Sequence, residues 1–171
     1  MILSDKDIRK MIDKGVMSVE PLTDGQIGPA SVDLTLSDSW YFFKKSLSKK
    51  KVDLSKDGFQ NAFSLRKAKE IELLPGQMCL GKTVEKIRLP SDIMGKLEGR
   101  SRYARMGVII HTTSALVQPG SDNHQILEIV NLAPFTIKLK AGMRISQVVF
   151  ERLESPTSKP YARFGKIATK Q

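Results

Sequence analysis

The sequence holds one cysteine, Cys79, and two histidines, His111 and His124, in 171 residues. A lone cysteine cannot close an intrachain disulfide. It also cannot supply the Cys-x-x-Cys pair that holds zinc in the zinc-dependent deaminases, and the His-x-Glu motif of those enzymes is missing too. A zinc centre is therefore not expected. No apolar run reaches the about 18 residues that span a bilayer. The first residues, Met1-Ile2-Leu3-Ser4-Asp5-Lys6-Asp7, carry charge where a signal peptide needs an apolar core. The expectation is a cytoplasmic protein with no membrane partner. No Walker-type phosphate loop and no serine or cysteine triad signature occurs.

What is present suits one domain with an arm. The hydrophobic fraction is 40%, enough for a core, and the net charge is +10. A basic chain favours anionic partners without choosing among them. Much of the excess sits in Lys44-Lys45 and Lys49-Lys50-Lys51, continuing to Lys56. A lysine cluster without interleaved aromatics reads as a solvated loop, so nucleic acid is not the expected partner.

The chain opens with a helix signature. Ser4 can cap, Asp7 follows three residues later, and Leu3 can staple onto Ile8. Ile8, Met11 and Ile12 share a face, and Gly15 ends the element. The period then changes. Val32, Leu34 and Leu36 alternate with polar neighbours, and Trp40 to Phe43 reads as a further strand before a long lysine-rich loop. Strands are expected at 70–74, 77–89, 93–98, 107–113, 124–131, 135–139 and 144–153. Pro75-Gly76, Pro90-Ser91, Pro119-Gly120 and Ala141-Gly142 punctuate them. This pattern predicts a mainly β sandwich or barrel over residues 1–154, with 155–171 as a basic tail.

Two stretches carry chemistry. In Arg100-Ser101-Arg102-Tyr103-Ala104-Arg105-Met106-Gly107, Ser101 reads as the N-cap and Gly107 as the stop of a short helix near 101–106. Free backbone N–H groups flanked by Arg100, Arg102 and Arg105 suit a phosphate; a basic surface helix paired with carboxylates would read the same. In Gln125-Ile126-Leu127-Glu128-Ile129-Val130, Glu128 shares a strand face with Ile126 and Val130. Partial desolvation would raise its pKa toward the range useful for proton transfer. An ion-paired or merely exposed glutamate fits the pattern as well. His111 reads as a hydrogen-bonded core residue.

Several segments in register resemble the dCTP deaminase family of the dUTPase superfamily. They are Leu97-Glu98-Gly99-Arg100-Ser101, Ala104-Arg105-Met106-Gly107, His111-Thr112-Thr113, Pro119-Gly120 and Leu127-Glu128. The N-terminal Met1 to Ile8, Pro29 to Leu34 and Gly142-Met143-Arg144-Ile145 are similar too. The resemblance covers most of the chain except the lysine-rich loop. It implies a distorted β-barrel of the dUTPase-like, β-clip kind. It also implies a homotrimer with interfacial active sites, and Mg²⁺ bound through the substrate triphosphate.

By this resemblance Glu128 activates the water that attacks C4 of cytosine. Ser101 and Arg105 orient the reacting groups. Arg100, Ser101 and Arg102 lie in the phosphate loop, and Thr112, Thr113 and Ser114 present backbone to the pyrimidine edge. Gln118 borders the substrate, and Tyr161 and Lys166 fit the closing segment of the tail. The implied activity is hydrolysis of dCTP to dUTP and ammonia, within pyrimidine deoxynucleotide metabolism.

The sequence departs from the family at Gln118, where an aspartate is usual, and at Arg102, which replaces a second serine. Leu116 stands for a larger residue, Ser121 for an aromatic that packs near the sugar, and Asn123 for a glycine. In the tail Ile167 replaces a tyrosine. Two other readings stay open. One is a dUTP diphosphatase on the same fold, with Asp122 taking the role of the absent aspartate. The other is a nucleotide-binding homologue without turnover.

Overall fold

A computed structural model describes residues 1–56, 58–111 and 113–163. It begins with α1 (Asp5–Asp13), closed by the predicted capping box: Asp7 N–H donates to Ser4 Oγ, and the Ser4 N–H donates to the Asp7 carboxylate. Leu3 and Ile8 are both buried, and Gly15 follows the helix with φ of 65°.

Then come β1 (Ser18–Glu20), β2 (Val32–Phe43), α2 (Phe59–Ala62), β3 (Phe63–Lys67), β4 (Glu70–Leu73), β5 (Met78–Arg88) and β6 (Ile93–Gly99). They are followed by α3 (Ser101–Ala104), β7 (Val108–Ile110), β8 (Leu116–Val117), β9 (Asp122–Asn131), β10 (Ile137–Lys140) and β11 (Arg144–Arg152). One antiparallel sheet runs β7-β9-β5-β2-β11-β6-β8, with β1 also paired to β5 and β3 to β2; β10 and β4 form a separate pair. The sheet curls until its two halves meet. Gly99 on β6 lies so near β7 that a Cβ there would stand 3.5 Å from Ile110 Cβ.

The mainly β architecture agrees with the punctuated sequence. Alternation decides which face is inside. Leu34, Leu36, Leu127, Ile129, Val148 and Phe150 point into one apolar core. Trp40 is fully buried there, and its indole N–H donates to Ala68 O at 2.9 Å. The two strands expected at 32–36 and 40–43 are one long β2, whose register against β5 slips between Leu36 and Trp40. The lysine-rich stretch is not all loop: it carries α2 and returns through β3 along the end of β2. Among the described residues no helix is long and apolar enough to cross a membrane.

Candidate active site

β9 places Leu127 and Ile129 in the core and turns Ile126 and Glu128 outward, as alternation requires. There Glu128 opens into a cavity of about 510 Å³, a size that suits a small-molecule site. Ser114, Gln118 and Tyr161, all expected from the sequence, line the same cavity. So do Phe43, Phe63, Met78, Leu80 and His111, which the sequence reading did not assign to a site.

His111 is bound to Glu128 twice. Its backbone N–H donates to Glu128 O at 2.8 Å, and its Nδ1 lies 2.8 Å from Glu128 Oε2. The approach is that of an ion pair, and neither atom has another hydrogen-bond partner among the described residues. On the other side of the ring, Nε2 is 2.6 Å from Ser114 O. A carbonyl only accepts, so Nε2 carries a hydrogen. His111 holds this position with φ of 59°, which few non-glycine residues adopt. Its side chain is 5% exposed and hydrogen-bonded as expected, but it lines the cavity beside Glu128 and is not part of the core.

The expected rise in the Glu128 pKa does not occur. Burial pushes the carboxyl up, but the hydrogen bond and charge of His111 outweigh it and leave Glu128 below the ordinary glutamate value. Within one chain the group that keeps Glu128 ionised is therefore His111.

The phosphate-loop residues lie elsewhere. Arg100, Ser101 and Arg102 line a second cavity of about 330 Å³ with Gly25, Asp33 and Gln147. The expected N-cap is corrected: Arg100, in extended geometry, caps α3, and Ser101 is the first helical residue. α3 is only four residues long, because Met106 N–H and Gly107 N–H close onto Tyr103 O and Ala104 O, three residues back, and the chain turns at Gly107. Gly107 is required there: its φ is 78°, and a Cβ would stand 2.8 Å from the Ala133 nitrogen. Arg100 is held by Asp33 at 3.2 Å and donates to Arg144 O at 3.1 Å. Burial raises the Asp33 pKa against the pull of Arg100 and Arg144. Arg105 is exposed at the C-cap of α3 and lines neither cavity. Thr113 is exposed and outside both lining sets. Thr112 and Lys166 lie outside the described residues.

The start of the tail is fixed against the larger cavity. Tyr161 N–H donates to Pro119 O at 2.9 Å. Gly120, with φ of 79°, admits this contact, since a Cβ would come within 2.6 Å of Pro160 Cβ. Asp122, the alternative carboxylate, is ion-paired with Lys86 at 2.9 Å and is not in the lining of the cavity. Among the described residues no group of three or more His, Cys, Asp or Glu side chains gathers to hold a metal ion.

A family model described as dCTP deaminase-like matches residues 2–153. A Methanosphaera stadtmanae protein named dCTP deaminase, dUMP-forming, is 37% identical over 165 residues, covering 94% of this chain and 83% of the relative. A Rhodospirillum rubrum protein named dCTP deaminase is 38% identical over 172 residues, covering 95% and 88%. The solved 2'-deoxycytidine 5'-triphosphate deaminase of Agrobacterium tumefaciens superposes with a TM-score of 0.67 at 21% identity, over 88% of this chain. This chain spans about half of that one, 47%, so the likeness bears on the fold.

Proposed function

Because the chain belongs to the dCTP deaminase-like family, we infer that it hydrolyses dCTP to dUTP and ammonia, with Glu128 as the general base. The observation that carries this reading is Glu128 held ionised by His111 at the wall of a nucleoside-sized cavity. The carboxylate takes a proton from water as the water oxygen bonds to C4 of cytosine. Glu128 passes that proton to N3 of the ring. It then takes the proton of the new C4 hydroxyl and gives it to the amine, which leaves as ammonia while C4 becomes a carbonyl. Ser114 borders the pyrimidine edge, while Gln118 and Tyr161 stand at the nucleotide.

The phosphates need cationic and hydrogen-bonding partners, and Arg100 and Arg102 with the Ser101 hydroxyl supply them from the smaller cavity. Mg²⁺ would be held by the triphosphate oxygens beside these residues, where it would neutralise phosphate charge. A ligand set of that kind fits a chain whose described residues gather no carboxylate cluster. The two half-sites line different cavities of one chain, and Arg105 lines neither. This supports a homotrimer in which Ser101 and Arg105 of one subunit complete the Glu128 site of another. The cytoplasm, where deoxynucleotides are made, suits this activity.

A second reading, release of dUMP and pyrophosphate by the same chain, is favoured by the dUMP-forming name of the Methanosphaera relative. Gln118 in the cavity and Asp122 outside it stand against this reading, because neither offers a carboxylate to a water at the phosphate. An assay with dCTP and Mg²⁺ that follows ammonia and pyrophosphate together decides. Ammonia alone is expected. Ammonia with pyrophosphate would establish the second reading, and neither product would overturn both.

A further inference from the structure

One wall of the larger cavity has no part in this scheme. β2 ends at Phe43, and β3 returns with Phe63 directly opposite. Their ring centroids are 4.3 Å apart with the planes tilted by 32°, and Phe43 is 55% exposed. Both rings line the cavity into which Glu128 opens. The registers give the path between them. Glu128 stands opposite Leu80, and Leu80 opposite Tyr41. Phe43 is thus two strands across and two residues along. At about 4.8 Å per strand and about 3.3 Å per residue, its Cα is roughly 12 Å from that of Glu128. Two side chains with a nucleoside between them fill such a span. Leu80 and Met78 form the apolar floor between the two ends.

Ser121, next to the other end of β9, lines the same cavity. Ser121 stands where the resemblance expects an aromatic, and its hydroxyl is buried without a hydrogen-bond partner. Phe43 ends the strand before the lysine-rich stretch, and Phe63 lies within that stretch, the segment that the resemblance does not cover. We propose that Phe43 and Phe63 form an aromatic wall against which the nucleoside of the substrate packs. The inference rests on the deaminase reading, since it takes Glu128 as the end of the cavity that meets C4. The wall binds and positions. It touches no proton in the reaction.

The test compares full-length wild type with Phe43→Ala, Phe43→Leu and Phe43→Tyr by steady-state ammonia release from dCTP. Phe43→Ala should raise KM at least about tenfold, as expected when one stacking aromatic is lost. Its kcat should stay within about twofold, since binding and not chemistry is removed. Phe43→Tyr keeps the ring and should restore the wild-type KM. Thermal melting of the apo proteins should differ little, because the ring is more than half exposed. If Phe43→Ala fails to fold, Phe43→Leu keeps the apolar volume without the ring, and its KM should still rise several-fold.

An unchanged KM in Phe43→Ala or Phe43→Leu would overturn the wall, as would equal losses in kcat and KM that tyrosine does not rescue. A wild type that releases no ammonia sinks the deaminase reading instead. The wall is then judged by dCTP-induced thermal stabilisation: a smaller shift in Phe43→Ala supports it, and equal shifts overturn it.

Discussion

His111 Nδ1 stands 2.8 Å from Glu128 Oε2, while the far side of the same ring donates to Ser114 O. With the Nε2 hydrogen committed, any proton between Nδ1 and Oε2 belongs to the pair. Burial raises the Glu128 pKa, and His111 more than cancels it. Glu128 is therefore ionised through neutral pH and ready to accept a proton.

A lowered folded-state value also fixes the sign for stability. The contribution is present above the unfolded pKa and is lost as pH falls through the folded one. For catalysis the acidic limb of kcat/KM should lie below the ordinary glutamate range. His111→Asn tests the cause, because asparagine tolerates the positive φ that His111 adopts. Burial is then opposed only by a backbone hydrogen bond, and the limb should move to higher pH. A limb that stays in place would show that His111 does not set the ionisation of Glu128.

The sequence revealed the core better than the site. The capping box at Ser4 and the inward face of β9 were readable because local bonds and alternation dictate them. The Phe43–Phe63 pair was hidden because Phe63 lies in a polar, lysine-rich stretch. A signal was present: Phe63 and Leu65 alternate with Ser64 and Arg66, as a strand does. The Glu128–His111 contact was not readable, because a cross-strand pairing between β7 and β9 sets it. Nor could spacing tell that Ser101 and Glu128 line different cavities. Local pattern fixes which way a side chain points, while the curl of the sheet fixes which side chains share a cavity.

A second consequence concerns the framework. Glu85 is 2% exposed, yet it accepts from Gln26 Nε2 and from Thr35 N–H, each at 2.8 Å. It ties β5 to β2 and to the turn that carries Gln26. Glu85→Ala leaves the Thr35 N–H and one of the two Gln26 Nε2 hydrogens without an acceptor, while the other still reaches Asp33 O, a cost of about 3 kcal/mol. For a chain of this size the melting temperature should fall by roughly 10 °C. Glu85→Gln keeps one acceptor and should lose less. Calorimetry of the three proteins checks the order. Equal melting points would mean that the bonds contribute nothing net.

The last consequence follows from the separation of the two half-sites. If Glu128 of one subunit works with Arg105 of another, two defective chains can repair each other. Glu128→Gln alone should lower ammonia release by about 10²- to 10⁴-fold, the usual worth of a general base, while dCTP still binds. Arg105→Ala should lower the rate more than the affinity. Neither variant has a complete site in its own trimers. When equal amounts are unfolded together and reassembled, some sites join an intact Glu128 to an intact Arg105. In a cyclic trimer with random mixing these are about a quarter of all sites. Activity should therefore return to about a quarter of wild type, while the separately refolded variants stay inactive. No recovery from trimers that demonstrably mix would place Glu128 and Arg105 in the site of a single chain, and the separation of their cavities would then have to close by movement within that chain.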